Sequence, residues 1–518
     1  MRGSGTPLDP FLIDDVADLQ DVDNDLTAYY ELGGDIDATA TSGWGGGLGF
    51  SPIGLATTTV FTGSFDGKSY TITNLYINRP ATDIIGLFYI LDAVSTKNAI
   101  LENPHFTGDS AIGGIAGRLD SGTITDCQVN NATLAGTNDI GGIAGKMAVN
   151  TEISDCSCSN LTITGSSVVY TDCGGIAGDS PKDVVITNCH TSGTITAAGD
   201  DAAGILAYTT GATITNCTSS CTVQGHSMVG GILGVHWHPV GHGALVMTGC
   251  HATGNITGEH DVGGLVGDEA TDTYTITDCY AAGDVIGSAV DSAVIGGFFG
   301  FAQNGVLATA TVSRCYAFGN VSGGTGGYIG GFAGTIGPTT MSECYATGNV
   351  TVVGVSHDIG GFGGNVFGTT NNCYSFGNVD AGASTDWVGG FAGYIEDAEY
   401  SYSIGAVVCT GVITTIGGFC GEFGGTTMTA CYWNIWTSGL TTDGLNSTAI
   451  GTSGHHLKRW RMLRAAGWDF VNIWGRANNC NDGYPCLRNV TSGCWLQKTL
   501  GNPSIGQGIH QHIEKVLV

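Results

Sequence analysis

Short runs of alternating apolar and polar residues recur along the whole chain, and this pattern predicts β-strands rather than helices. Residues 123–125 (Thr-Ile-Thr) and 184–187 (Val-Val-Ile-Thr) are two examples. Between such runs lies a glycine-rich pentad of the type Gly-Gly-Ile/Leu/Phe-Ala/Val-Gly. The pentad or a close relative begins at Gly113, Gly141, Gly174, Ala203, Gly230, Gly263, Gly296, Gly330, Gly360, Gly389 and Gly417.

The repeat length indicates the architecture. A unit such as residues 341–370 holds three short strand candidates separated by turn residues. About 28–30 residues are enough for one three-sided coil, at roughly 3.3 Å per strand residue. We therefore predict an all-β fold: a right-handed parallel β-solenoid (β-helix) of about 10–11 coils with a cap at each end. Propeller blades are the alternative, but a blade usually needs about 40 or more residues.

The pentad glycines mark bends or close backbone approaches. Two glycines that flank one Ile, Leu or Phe predict a corner at which that side chain fills the core. Outside the array, residues 12–20 have the apolar spacing of a helix, and residues 456–464 resemble a short basic helix. The predicted divisions are an N-terminal cap with entry coils (1–100), the repeats (101–440), a Trp-rich C-terminal cap (441–495) and a tail (496–518).

Most of the 18 cysteines follow the repeat, at spacings of 28 to 36 residues. Equivalent side chains in stacked coils point the same way, which disfavours disulfide geometry, so we predict a ladder of buried thiols. The in-phase positions are Cys127, Cys156, Cys189, Cys217, Cys250, Cys279, Cys315, Cys344, Cys373 and Cys431. Disulfides are better sought among off-phase groups, namely Cys156/Cys158/Cys173, Cys217/Cys221, Cys409/Cys420 and Cys480/Cys486/Cys494.

Charge is sparse and strongly acidic, with 16 Lys/Arg against 45 Asp/Glu and a net charge of −29. Such a chain should repel nucleic acid and anionic membranes, so we expect no nucleic-acid partner. Its surface suits solubility at high ionic strength or cation binding, unless it is merely a solvated face. No apolar run is long enough to predict a membrane span. The N-terminus lacks the apolar stretch of a signal peptide, so we expect either a removed leader or export without one.

Three sets of motifs carry a resemblance to GLUG-motif repeat proteins. Pentads such as those at Gly263 and Gly330 follow Cys-Tyr-Ala-Thr-Gly-Asn-Val runs. Residues 5–13, 32–37 and 61–67 are similar to the segment that opens such arrays. Residues 467–470, Trp474 and residues 483–487 resemble the segment that closes them. The resemblance implies a large secreted or surface-attached protein of bacteria, archaea or phage, often adhesin-like, and it does not imply an enzyme. The missing leader and the basic residues 455–464 depart from this pattern.

Two groups of residues are candidate ligand sites. Tyr280, Tyr316, Tyr345 and Tyr374 each follow an in-phase cysteine. Because neighbouring strand positions face opposite ways, an inward cysteine predicts an outward tyrosine ladder that could bind a ligand or a second copy, unless each ring merely covers its neighbour. His236, His238 and His242 could bind Zn²⁺ or Ni²⁺, or could be incidental histidines of a loop.

Acidic residues also recur in phase. Asp139, Asp172, Asp261 and Asp358 each lie two residues before a pentad. Stacked carboxylates repel each other unless they are solvated or share a hard cation such as Ca²⁺. A solvated face, a Ca²⁺ or glycan site, and paired catalytic carboxylates all remain open for this column. We therefore expect no obligatory cofactor, with Ca²⁺ or Zn²⁺ as the cations to test.

The sequence favours a non-enzymatic extracellular or cell-surface protein. In this hypothesis an acidic β-solenoid presents loops for adhesion to cell-surface or host glycans and proteins, or self-associates into a homo-oligomer, surface layer or filament. The alternative is a phage tail fibre or receptor-binding protein on the virion that recognises host glycans. The third hypothesis is a solenoid enzyme that degrades polysaccharides.

Overall fold

The computed structural model describes residues 1–55, 59–92, 94–237, 243–270, 273–288, 293–302, 310–382, 386–475 and 481–488. Short parallel strands dominate it, and they stack coil on coil in register. The prediction of an all-β solenoid is confirmed, with about twelve turns along the chain where 10–11 were expected. Each coil has three faces. The first face follows the pentad, the second follows the in-phase cysteine, and the third leads into the next pentad.

The coils form two compact units. Unit 1 contains residues 1–259 and 265–271, and unit 2 contains residues 260–264 and those from 272 onward, within the part of the chain described above. Each unit has the same three faces, and its strands are given by face below.

In unit 1 the first face contains Phe11–Ile13, Tyr29–Leu32, Ser64–Asp66, Phe88–Leu91, Val94–Lys97, Ala116–Leu119, Gly122–Thr125, Ala144–Met147, Glu152–Ser154, Ala177–Ser180, Val184–Thr187, Leu206–Thr209, Ala212–Thr215, Leu233–His236, Leu245–Thr248 and Val266–Glu269. The second face contains Ile36–Asp37, Thr71–Thr73, Tyr76–Asn78, Ile100–Glu102, His105–Thr107, Gln128–Asn130, Thr133–Gly136, Ser157–Gly165, His190–Ala197, Thr218–Ser219, Thr222–Gln224, His251–Ala252 and Ile256–Gly258. The third face contains Ser110–Gly113, Asn138–Gly141, Tyr170–Gly174, Asp200–Ala203 and Ser227–Gly230.

In unit 2 the first face contains Tyr274–Thr277, Phe299–Ala302, Thr311–Ser313, Ala333–Ile336, Thr340–Ser342, Gly363–Asn371, Ala392–Glu399, Cys420–Phe423 and Met428–Thr429. The second face contains Tyr280–Ala281, Val285–Gly287, Tyr316–Ala317, Val321–Gly323, Tyr345–Ala346, Val350–Val352, Tyr374–Ser375, Val379–Asp380, Tyr402–Ser403, Val407–Val408, Tyr432–Asn434 and Ile450–Thr452. The third face contains His260–Gly263, Val294–Gly296, Tyr328–Gly330, Asp358–Gly360, Trp387–Gly389 and Thr415–Gly417.

Ladders of like side chains fill the core. In unit 1, Ile124, Ile153 and Ile186 pair in register and are fully buried. The apolar residue at the centre of each pentad also points into the core, as predicted from the flanking glycines. In unit 2 these central residues are phenylalanines, and the rings of Phe362 and Phe391 stack with centroids 4.8 Å apart. Burial of these ladders supplies the main stabilising contribution of each coil.

The in-phase cysteines form a buried ladder, as predicted. Cys156 Sγ donates to Ser154 O at 3.2 Å, and Cys344 Sγ donates to Ser342 O at 3.3 Å. The residue before each of these cysteines has a left-handed backbone, with φ of 55° at Asp155 and Glu343. Asp, Asn and Gly tolerate this conformation best, so it explains why these residue types precede most of the cysteines.

Five off-phase cysteines within the described ranges carry thiols rather than disulfides. Cys158, Cys173, Cys221 and Cys420 are buried, and Cys409 is partly exposed. The disulfides suggested for these positions are therefore absent. Cys480 and Cys494, which were also candidates, lie outside the described residues.

The helices are short and lie near the ends of the chain. A strand, Phe11–Ile13, precedes the first helix, Val16–Gln20, so the helical prediction for residues 12–20 was wrong in its first half. Asp15 caps this helix by accepting from Ala17 N and Asp18 N. The predicted basic helix is two helices, Gly454–Leu457 and Trp460–Ala465. The remaining helices are Asp21–Asn24, Thr39–Gly46, Ile435–Ser438 and Asn481–Gly483, and Trp474–Gly475 pairs antiparallel with Cys486–Leu487.

Candidate functional site

The pentads create a concave corner on the outside of each coil. The last pentad glycine lies against the outer wall of the preceding coil: a Cβ on Gly178 would lie 2.7 Å from Asp139 C, and one on Gly393 would lie 2.7 Å from Asp358 Cβ. Only glycine permits this approach. The outward residues of the third face therefore meet the outward residues of the first face. We call the resulting cleft the corner groove, and each unit has its own segment of it.

In unit 1 the corner groove is lined mainly by carboxyl groups. Asp139, Asp172 and Asp201 occupy equivalent positions on successive third-face strands, because the residues next to them pair in register. Lys146 on the facing wall contacts Asp139 Oδ2 at 3.1 Å and Asp179 Oδ2 at 3.2 Å. A solvated face was one alternative for this column, but Asp139 and Asp201 are only 2% and 3% exposed.

Burial changes the protonation of this segment. Burial, followed by the charge of Asp201, raises the pKa of Asp172 to about 10. Burial likewise raises the pKa of Asp201 to about 7, although a hydrogen bond with Asp172 opposes that shift. The two carboxyl groups therefore share a proton at neutral pH. Burial opposes the charge on Lys146, but Asp139 and Asp179 outweigh it and raise the pKa of this amine.

In unit 2 the corner groove carries aromatic rings. The third-face wall presents Tyr328, Asp358 and Trp387 on successive strands. Asp358 pairs in register with Trp387, and the residues that follow Tyr328 and Asp358 also pair with each other. The facing wall presents Asn365 and Tyr394, which also pair in register. The Trp387 and Tyr394 ring centroids are 5.5 Å apart, so the two rings bridge the walls.

Further groups extend this segment. The Phe367 ring, 40% exposed, lies 5.5 Å from the Tyr394 ring. Glu422 follows Tyr394 on the first-face wall. Burial, then Asp386 and Glu422, raises the pKa of Asp358 to about 8, so this carboxyl is largely protonated at neutral pH. The segment thus combines stacked rings with hydrogen-bonding groups.

The predicted tyrosine ladder forms, but it does not face solvent. Tyr316, Tyr345 and Tyr374 are at most 2% exposed, and neighbouring rings stack at 4.3 Å and 4.7 Å between centroids. Residues between 457 and 487, which we call the C-terminal segment, pack against them. The Trp474 ring centroid lies 6.2 Å from that of Tyr374, and Trp474 Nε1 donates to Asn372 Oδ1 at 2.8 Å. Tyr280 packs at the edge of the same cluster. The predicted exposure of these rings was therefore wrong, because residues far along the chain, such as Trp468 and Trp474, pack in the same cluster. Ligand binding by these tyrosines stays a prediction.

The histidine cluster is only partly described. His236 is fully buried, and its Nδ1 lies 2.9 Å from Oε2 of Glu269, which is also fully buried. His238 and His242 lie outside the described residues. Within the described ranges no group of three or more His, Cys, Asp or Glu side chains is arranged to hold a metal ion. Zn²⁺, Ni²⁺ and Ca²⁺ binding stay predictions.

The sequence analysis identified Asp139, Asp172 and Asp358 but not the groove that contains them. It missed Asp201, Trp387 and Tyr394, although Asp201 and Trp387 stand two residues before the pentads at Ala203 and Gly389. The available signal was the position two residues before each pentad, which is the outer wall position of every coil. How closely the third-face and first-face walls approach each other depends on the pentad backbone, and these sequence positions do not predict that distance.

Comparisons with known proteins give partial similarities. No protein-family model matches this sequence. A stretch of 130 residues, 24% of this chain, is 46% identical to Halomucin of Haloquadratum walsbyi, and 109 residues, 21% of this chain, are 38% identical to a protein of Evansella cellulosilytica named Putative Gly-rich membrane protein. These matches span 1% and 12% of the relatives' own lengths.

Among solved structures, a Bacteroides ovatus crystal structure named for an immunoglobulin A1 protease aligns with 94% of each chain, at 18% identity and a TM-score of 0.26. Among the described residues, no helix is both long and apolar enough to span a membrane.

Proposed function

We propose that this protein is a non-enzymatic structural or adhesion protein of the cell surface. Its stacked coils would hold the loops and the corner grooves in fixed positions for contact with cell-surface or host glycans and proteins, or with further copies of the chain. The observation that carries the proposal is the repeated coil itself: each coil is held by register pairing and by core ladders along its whole length. Such arrays suit extended binding surfaces.

The similarity to surface proteins supports this location. Halomucin and the Gly-rich membrane protein both carry names that refer to surface material, and they match parts of this chain at 46% and 38% identity. The acidic composition, with a net charge of −29, also fits an exposed protein that must remain soluble at high ionic strength.

The carboxyl pair supports a non-enzymatic role. Glycosidases that act through two carboxyl groups hold them roughly 5 Å or more apart, so that a sugar and a water molecule fit between them. Asp172 and Asp201 instead hydrogen-bond to each other and are largely buried.

Antibody labelling of producing cultures, viewed by electron microscopy, tests the proposed location. We expect label along cell surfaces or extracellular filaments. Label confined to the cell interior, or to virion tails, would overturn the proposal, and the second result would favour the receptor-binding alternative.

A further inference from the structure

We propose that the unit 2 segment of the corner groove is a binding site for an uncharged polysaccharide. The inference deepens the proposed surface function, on which it rests, by assigning the class of glycan and the residues that hold it. The segment comprises Tyr328, Asp358 and Trp387 on the third-face wall and Asn365 and Tyr394 on the first-face wall.

The rings supply a packing surface for sugar. Trp387 and Tyr394 lie 5.5 Å apart with their planes inclined by 36°, and Phe367 continues the run 5.5 Å from Tyr394. All three rings keep solvent-exposed surface. The C–H face of a pyranose is apolar and packs on aromatic rings of this kind, while its hydroxyl groups need polar partners nearby.

Two residues of the first-face wall carry polar groups of this kind. Asn365 and Thr335 are 8% and 6% exposed and occupy paired positions on the first-face wall. Asn365 Oδ1 and Thr335 Oγ1 have no hydrogen-bond partner among the described residues. A buried polar atom without a partner is costly, about 1–3 kcal/mol. Both atoms are buried, so a ligand hydroxyl group would donate to them only after the side chain turns towards the groove, and that contact would remove the cost.

The acidic residues beside the groove favour an uncharged ligand over an anionic one. Asp386 directly precedes Trp387 on the third-face wall, and Glu422 pairs with Tyr394 on the first-face wall, so both acidic residues adjoin the rings. Their charges also raise the pKa of Asp358. A sulfated or uronic-acid polymer would be repelled by these carboxylates. Asp358 itself is a neutral donor at pH 7 and can hydrogen-bond to a sugar hydroxyl.

The test is a binding screen of the full chain by isothermal titration calorimetry. The neutral probes are dextran, glycogen, mannan, galactan and chitin oligosaccharides, and the anionic probes are heparin and polygalacturonate. We expect at least one neutral polymer to bind. Trp387→Ala and Tyr394→Ala should each weaken that binding by about tenfold or more, because each removes a ring from the packing surface.

Matched variants keep the result interpretable. Trp436→Ala removes a tryptophan that is 71% exposed on the helix Ile435–Ser438 and should leave the affinity within about twofold. Trp387→Phe retains a ring and should lose less than Trp387→Ala. A strand-rich circular dichroism spectrum establishes that each variant is folded. If Trp387→Ala does not fold, the affinity of Tyr394→Ala tests the proposal in its place.

Three results would overturn the groove assignment: unchanged affinity in both alanine variants, preference for the anionic probes, or no binding of any neutral probe. None of them would affect surface labelling in cultures. The proposed surface function fails instead if the labelling fails, so the two failures are distinguishable.

Discussion

At the residue scale, the hydrogen-bonded pair of Asp172 and Asp201 should make unit 1 sensitive to alkaline pH. The folded-state pKa values, about 10 and about 7, both lie above the usual value for Asp. The folded state therefore binds more protons than the unfolded state, and stability falls as pH rises from the unfolded pKa towards the folded values. We expect Asp201→Asn to raise the free energy of unfolding at pH 8 by about 2 kcal/mol.

The same variant should flatten the pH dependence of the melting temperature between about pH 4 and pH 8, as measured by calorimetry. Asparagine tolerates the left-handed backbone at position 201, where φ is 62°. Asp37→Asn is the control. Hydrogen bonds from Thr39 lower the pKa of this exposed carboxyl, so its replacement should give a small change of opposite sign. A melting temperature at pH 8 that falls in Asp201→Asn would contradict the shared proton.

The cysteine ladder predicts a large difference between native and denatured thiol reactivity. Burial raises the pKa of the in-phase Cys431 thiol to about 12, and a protonated, enclosed thiol reacts slowly. Cys409 is partly exposed and should react first. We expect Ellman's reagent to modify few thiols in native protein and most of the in-phase cysteines in denaturant. Near-zero free thiol in denaturant would instead indicate disulfides.

At the scale of elements, the pentad corner should tolerate no side chain at its last glycine. A Cβ on Gly178 would lie 2.6 Å from Asp172 O and 2.7 Å from Asp139 C, and both atoms belong to the backbone. Gly178→Ala should therefore cost about 2–4 kcal/mol in urea unfolding. A Cβ on Gly34 would meet no atom of the described residues within 4 Å, so Gly34→Ala should change stability by less than about 0.5 kcal/mol. Equal effects would refute the close approach.

The C-terminal segment is the element that hides the tyrosine ladder. Trp474 is fully buried and contacts Tyr374, Tyr402 and Trp468. Trp474→Ala should lower the free energy of unfolding by about 3–5 kcal/mol and increase binding of a hydrophobic dye as the tyrosines become exposed. Trp436→Ala, at an exposed position, should do neither. Unchanged dye binding in Trp474→Ala would show that the cover does not depend on this ring.

Local repetition made part of the molecule predictable. The repeated coil, the apolar residue of the pentad and the inward cysteine each recur, so each could be predicted from spacing. The prediction of three strands in each unit was wrong, because the three faces of a coil such as residues 110–136 contain five short strands. The cover over Tyr345 and Tyr374 could not, because the residues that bury these rings lie about a hundred positions later and share no motif with them. Trp387 and Tyr394 meet because the backbone turns at residues 389–393. The repeat period does not predict the distance between the two rings.

At the scale of the whole molecule, net charge should govern stability. The chain has 16 basic and 45 acidic side chains, so most carboxylates lack a basic partner. Their mutual repulsion destabilises compact coils. Raising NaCl from about 0.1 M to 1 M shortens the screening length from about 10 Å to about 3 Å. We expect the melting temperature at pH 7 to rise by about 5 °C or more over this range.

The choice of cation separates screening from site binding. Screening depends on ionic strength, so NaCl and CaCl₂ should act alike when their ionic strengths are matched. A bound Ca²⁺ stabilises by mass action and would raise the melting temperature at about millimolar concentration, far below the range needed for screening. We expect the first behaviour, since Lys146 already pairs with Asp139 and Asp179, and the Asp172–Asp201 pair is largely buried. A millimolar Ca²⁺ effect that EDTA reverses would contradict screening and would revive the cation-binding hypothesis for the stacked carboxylates.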